Sequence, residues 1–176
     1  MPNFDHFFVS TAERFSNNLR TTLGNADIPG LGDGPDDAGL AALLNRPSDC
    51  RLANETPVPA LVRSGLWLAA GDLDRSHTIS QDDASAEGSL WHGIMHRREG
   101  DYSNAAYWMR RVGSHDAFDQ LAEQYGGEYR DPYHFNDAVA TCRGGEDRGG
   151  DESASDRLRQ IQWTEWQLLI QKCMSA

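Results

Sequence analysis

Cysteine is scarce in this chain. Only Cys50, Cys142 and Cys173 occur, and no two form a CxxC pair. An odd, widely spaced set does not build a disulfide framework, and it points to a reducing, cytoplasmic setting. Basic residues are also few. Sixteen Lys and Arg face 27 Asp and Glu, for a formal net charge of −11 at pH 7. A surface of that sign repels nucleic acid and anionic membrane, so neither is expected as a partner. No apolar run approaches the roughly 18 residues of a membrane span. Met1 to Ser10 lacks the basic start and apolar core of a signal peptide, and none is expected. Alternating runs of β-branched residues are missing, which argues against a sheet. HExxH is absent, and Glu87-Gly88-Ser89-Leu90 lacks the second glycine of a GxSxG elbow, leaving Ser89 a poor nucleophile candidate.

What is present is helical patterning. At 176 residues the chain suits one domain. Phe4, Phe8, Phe15 and Leu19 share helical spacing, predicting a helix near 9–22. Residues 24–37 are rich in Gly, Pro and Asp and read as a flexible loop. A short helix follows over 36–45, stopped by Pro47. Pro57 and Pro59 open the next one, which ends near Gly71. Further helices are expected from Asp72 to about Asp82, over 86–98, and from Asp101 to Val112. Ser114 reads as the N-cap of a helix to Gln124, and Asp131-Pro132 as the start of one reaching about Cys142. Residues 143–153 (RGGEDRGGDES) read as a second flexible loop. A last helix spans 155–174, with Leu158, Ile161, Trp163, Trp166, Leu169 and Ile170 on a broad apolar face. The expected fold is a single all-α domain of antiparallel helical hairpins.

Unusual residues concentrate between Gly65 and His115. His92 and His96 stand at i and i+4, on one face of a helix and one turn apart, where two imidazoles can reach one metal ion. Glu99 falls on the same face. His77 and Asp74 lie on the preceding helix, which antiparallel packing brings near. A set of His77, His92, His96 and Glu99 suits a divalent metal such as Zn²⁺, Fe²⁺ or Mn²⁺. A second reading makes His92 or His96 a general base oriented by Asp74 or Glu99. In a third, the histidines are hydrogen-bonded members of the core, since an unpaired buried polar group is costly. Arg97, Arg98, Arg110 and Arg111 form the one basic concentration. They read either as a clamp for a carboxylate or phosphate, or as partners of Glu99, Asp101 and Asp116. Trp67, Trp91, Tyr102, Tyr107 and Trp108 read as a pocket lining or as core. The expected ligand set is therefore Trp91, Arg97, Arg98, Tyr107 and Arg111, for a small molecule. The rival expectation is a protein-interaction module. Its partner would dock on this aromatic and arginine surface or on the Trp163/Trp166 helix, which also admits a homo-oligomer.

The segment GIMHRREGDYSNAAYWMRRV (93–112) resembles one helical hairpin of the tetratricopeptide family. Gly93 and Ala105 fall at its small-residue positions, and Gly100-Asp101-Tyr102 at its inter-helix turn. Gly71-Asp72-Leu73, with Ser76, echoes it 29 residues earlier, short of that family's 34-residue period. The resemblance implies antiparallel helix pairs. The stretch WHGIMHRREGDYSNAAYW (91–108) also resembles a signature of bacterial and fungal proteins of uncharacterised function, and implies no activity.

Overall fold

The fold is that of a computed structural model, which describes residues 4–34, 37–146 and 152–175. Ten α-helices run through the described residues: α1 Val9–Ala12, α2 Asn17–Asn25, α3 Ala38–Leu44, α4 Ala60–Ala70, α5 Leu73–Ser80, α6 Ala86–Glu99, α7 Tyr102–Val112, α8 Asp116–Tyr125, α9 Pro132–Glu146 and α10 Glu152–Ser175. Among those residues there is no strand, only isolated bridges pairing Phe15 with Leu52 and Arg51 with Pro57. The chain is a single all-α domain. No helix of the described residues is long and apolar enough to cross a membrane.

Local chemistry explains the helix ends. Gly71 and Gly100 close α4 and α6 at φ of 92° and 89°, a left-handed conformation that a Cβ disfavours. The next residue in each case, Asp72 or Asp101, caps the following helix through its carboxylate, which accepts the amide N–H three residues on. One Gly-Asp pair thus ends one helix and begins the next. Across the first turn Ser64 meets Ser76, Oγ to Oγ at 3.0 Å. Across the second, Asn104 meets His96 and Trp108 meets His92. In each case residues before the turn face residues a similar distance after it, so both pairs are antiparallel.

The core is organised around α10, which packs against α4, α6, α8 and α9. Residues 161–170 of α10 are all buried within the chain. The broad apolar face of this helix, which suits either the core or another subunit, is covered here by the chain's own helices, with Trp163 and Trp166 stacked at 4.5 Å. The polar residues in this stretch all have partners. Thr164 and Gln167 bond Asp5, and Thr164 also meets Tyr125. Gln162 donates to the Gly30 carbonyl.

Several boundaries differ from expectation. The helix expected over 9–22 is two helices, because Phe15 pairs with Leu52 and the Ser16 hydroxyl caps α2 at Leu19 N. At α8 the cap is His115, whose Nδ1 accepts from Ala117 N at 3.2 Å, and Ser114 lies outside. Of the loop expected over 143–153, residues 143–146 continue α9 and 152–153 open α10, while 147–151 lie outside the described residues. Arg143 explains the extension: it donates to the Arg98 carbonyl at 3.1 Å, tying the end of α9 to the end of α6. The loop expected over 24–37 holds for Ala26–Gly34, with residues 35–36 also outside the described set. It is tied down by side chains: Arg159 donates to Ile28 O at 2.6 Å, and Arg98 to Gly32 O at 2.9 Å.

Candidate metal centre

Helix α6 is buried from Gly88 to Arg98. A helix covered on all sides must find partners for its polar residues on every face. Its i, i+4 histidines turn toward α5 and α7. There His77 of α5 joins them, with ring centres 4.5 Å from His92 and 5.8 Å from His96. His92 and His96 are themselves 4.8 Å apart. One nitrogen from each of the three lies within 4.8 Å of the other two. Points so spaced lie at most about 2.8 Å from a common centre, against roughly 2.0–2.1 Å for a zinc–imidazole bond. Ring rotations of about 0.7 Å close that gap. Among the described residues, this trio is the group of three or more His, Cys, Asp or Glu able to hold a metal ion.

The protonation of the trio follows from its contacts. His92 is 3% exposed and its Nδ1 has no hydrogen-bond partner. Its ring stacks on Trp108 at 3.9 Å. Burial, then the neighbouring His77, His96 and Arg111, push its pKa down to about 4. It is neutral at pH 7, the form that ligates metal. His96 Nδ1 faces Glu99 Oε2 at 2.9 Å. A carboxylate only accepts, so Nδ1 carries the proton and the bare Nε2 accepts from the Asn104 amide at 3.0 Å. His77 is half-buried and brings the cluster to solvent.

The expected site residues separate into three places. His77, His92 and His96 come together. Glu99, with its side chain 42% exposed, stands behind His96 as the acceptor of its ring proton, outside the convergent nitrogens. Asp74 is exposed and joins neither group. Arg97 and Arg98 leave the expected clamp altogether. Arg97, fully buried, pairs with Glu165 of α10 and lies 4.7 Å over the Phe135 ring. Arg98, 2% exposed, donates to the Leu68 and Gly32 carbonyls. Both fasten the fold. Trp91 is core, edge-on to Trp166 at 6.5 Å. Trp67 is core too, beneath the Arg75 guanidinium. Ser89 is buried. Tyr107 is exposed on α7, edge-on to Trp108, and Arg111 lies 5.0 Å over the Trp108 ring.

Sequence reasoning missed Asn104. Its signal was spacing: Asn104, Trp108 and Arg111 stand at i, i+4 and i+7 on α7, one stripe facing the histidines. It also missed the large cavity away from the trio, about 780 Å³, between the loop of Asp27–Gly34 and the side chains of Arg143, Ser155 and Arg159. Set against protein-family profiles, curated proteins and solved structures, the chain matches none.

Proposed function

We propose that this chain binds a divalent transition metal through His77, His92 and His96. The observation carrying the reading is the convergence of three imidazoles from two helices, with His92 held neutral and its Nδ1 buried without a partner. A core histidine network would pair that nitrogen. With Glu99 behind His96, the donor set is all nitrogen, which favours Zn²⁺, with Fe²⁺ next and Mn²⁺ least. Glu99 fixes the ring and proton of His96, as carboxylates behind metal-bound histidines commonly do. Three protein ligands leave positions open, the pattern of sites that take an exogenous ligand rather than of purely structural ones. The free thiols of Cys50, Cys142 and Cys173 fit a reducing, cytoplasmic setting.

The test is metal content by mass spectrometry on protein purified without a histidine tag, with zinc affinity measured by chelator competition. Close to one metal per chain is expected, and His77→Ala should lower affinity by at least about a hundredfold. His77 is only half-buried, so that variant keeps the fold. A metal-free protein that fails to take up added zinc at micromolar concentration would overturn the reading.

A further inference from the structure

Helix α7 lays one stripe of side chains across the histidine trio. The Asn104 amide reaches His96 Nε2 at 3.0 Å, Trp108 stacks on His92 at 3.9 Å, and the Arg111 guanidinium sits 5.0 Å over the Trp108 ring. Arg111, like Arg110 beside it, has no carboxylate partner among the described residues; what sets it apart is its place over the Trp108 ring that stacks on His92. Arg46, Arg75, Arg97, Arg157, Arg159 and Lys172 each hold a carboxylate. This is a chain with 27 acids. An exposed arginine without a carboxylate partner, over the ring that stacks on His92, places a positive charge beside the trio. Its planar fork matches two oxygens of a carboxylate or phosphate. A metal with three imidazole ligands adds a second positive point with open coordination positions. Asn104, on the same stripe, adds an amide whose N–H, now on His96 Nε2 at 3.0 Å, would be free for an incoming oxygen if that nitrogen held a metal.

We propose that the centre takes a small oxyanion, a carboxylate or phosphate monoester, held at one end by the metal and at the other by Arg111. The inference rests on the metal reading. Tyr107, exposed and edge-on to Trp108, gives the rest of such a molecule an aromatic edge to lie against.

The test uses the full chain loaded with Co²⁺, whose visible spectrum reports its ligands. The loaded protein is titrated with acetate and, separately, with methyl phosphate, at ionic strength held constant with perchlorate. The expected result is a saturable spectral change with at least one of the two, and the one that binds tighter names the class. Arg111→Gln should weaken that binding roughly tenfold while leaving Co²⁺ affinity unchanged. Arg110→Gln, an equally exposed neighbour on α7, should leave both unchanged. A Co²⁺ spectrum indifferent to both anions, or equal weakening by the two arginine variants, would overturn the inference while the metal reading stands. Failure to bind Co²⁺ at all would overturn both.

Discussion

The two sides of α6 carry polar residues of similar cost and treat them in opposite ways. Toward α9 and α10, Arg97 is fully buried and meets acceptors in every direction: the Glu165 carboxylate, Gln162 Oε1 at 3.3 Å and Asn136 Oδ1 at 3.4 Å. Toward α5 and α7, His92 and His96 are nearly as buried. Yet the imidazole nitrogens on that side converge on one another, with the Asn104 amide reaching His96. The first side gives the Arg97 guanidinium acceptors on two helices and ties three helices together. The second gathers imidazole nitrogens around a shared centre. Packing alone accounts for the first arrangement and gives no reason for the second.

The contrast breaks most visibly at Glu165. Glu165→Gln leaves Arg97 charged in a dry core, and about 3–5 kcal/mol of folding stability should be lost, measured by urea denaturation. Replacing both partners, Arg97→Met with Glu165→Leu, should cost much less, because no buried charge is then left alone. A single-variant loss under about 1 kcal/mol would mean that this side is not the structural one.

A smaller effect sharpens the other side. In metal-free protein His92 titrates near 4, against an ordinary value of 6.5. Between those values the unfolded chain binds a proton that the folded chain refuses. Stability is therefore full above pH 6.5 and falls as the pH drops toward 4. At pH 5 the loss should be on the order of 2 kcal/mol. His115, also depressed chiefly by burial although Glu87 opposes it, acts in the same direction. The acids that the fold holds low, Asp101, Asp116 and Glu128, lose their contribution only nearer pH 4 and below, so the window from 7.5 to 5 isolates the histidines. Urea denaturation across that window should show a slope that His92→Gln reduces. A flat profile would mean that His92 protonates freely in the folded chain.

Much of the frame was legible because it is local. Gly71-Asp72, Gly100-Asp101 and Asp131-Pro132 are stop and start signals written within two residues, and the helices begin and end there. The inward face of His92 and His96, with His77 as third member, followed from helical spacing and an antiparallel hairpin. What stayed hidden depends on distant partners. Arg97 and Arg98 read as a ligand clamp because Glu165 lies 68 residues away, and Gly32 lies 66. The break between α1 and α2 depends on Leu52, which no local pattern near Phe15 announces. Glycines at 144–145 signal a loop, and α9 passes through them because Arg143 is anchored on α6. Glu99 falls between these cases. Its place on the histidine face was readable, but whether it points into the trio or at the back of His96 depends on a rotamer.

That last distinction yields the smallest stability effect and a sharp test of how the site is built. Glu99 is 42% exposed, so its contact with His96 should add no more than about 0.5 kcal/mol to the stability of the metal-free protein. Its effect should appear instead in metal affinity, through the proton it holds on His96 Nδ1. Glu99→Ala frees the ring and its tautomer and should weaken zinc roughly tenfold. Glu99→Gln keeps an amide oxygen able to accept from Nδ1–H, and should retain most of the affinity. A direct ligand would behave otherwise, because an amide is a poor substitute for a carboxylate on zinc and both variants would then lose affinity alike. Chelator competition on the two proteins separates these outcomes. Equal losses would move Glu99 into the coordination sphere and make the centre a mixed nitrogen and oxygen site, in which Fe²⁺ and Mn²⁺ compete with zinc on better terms.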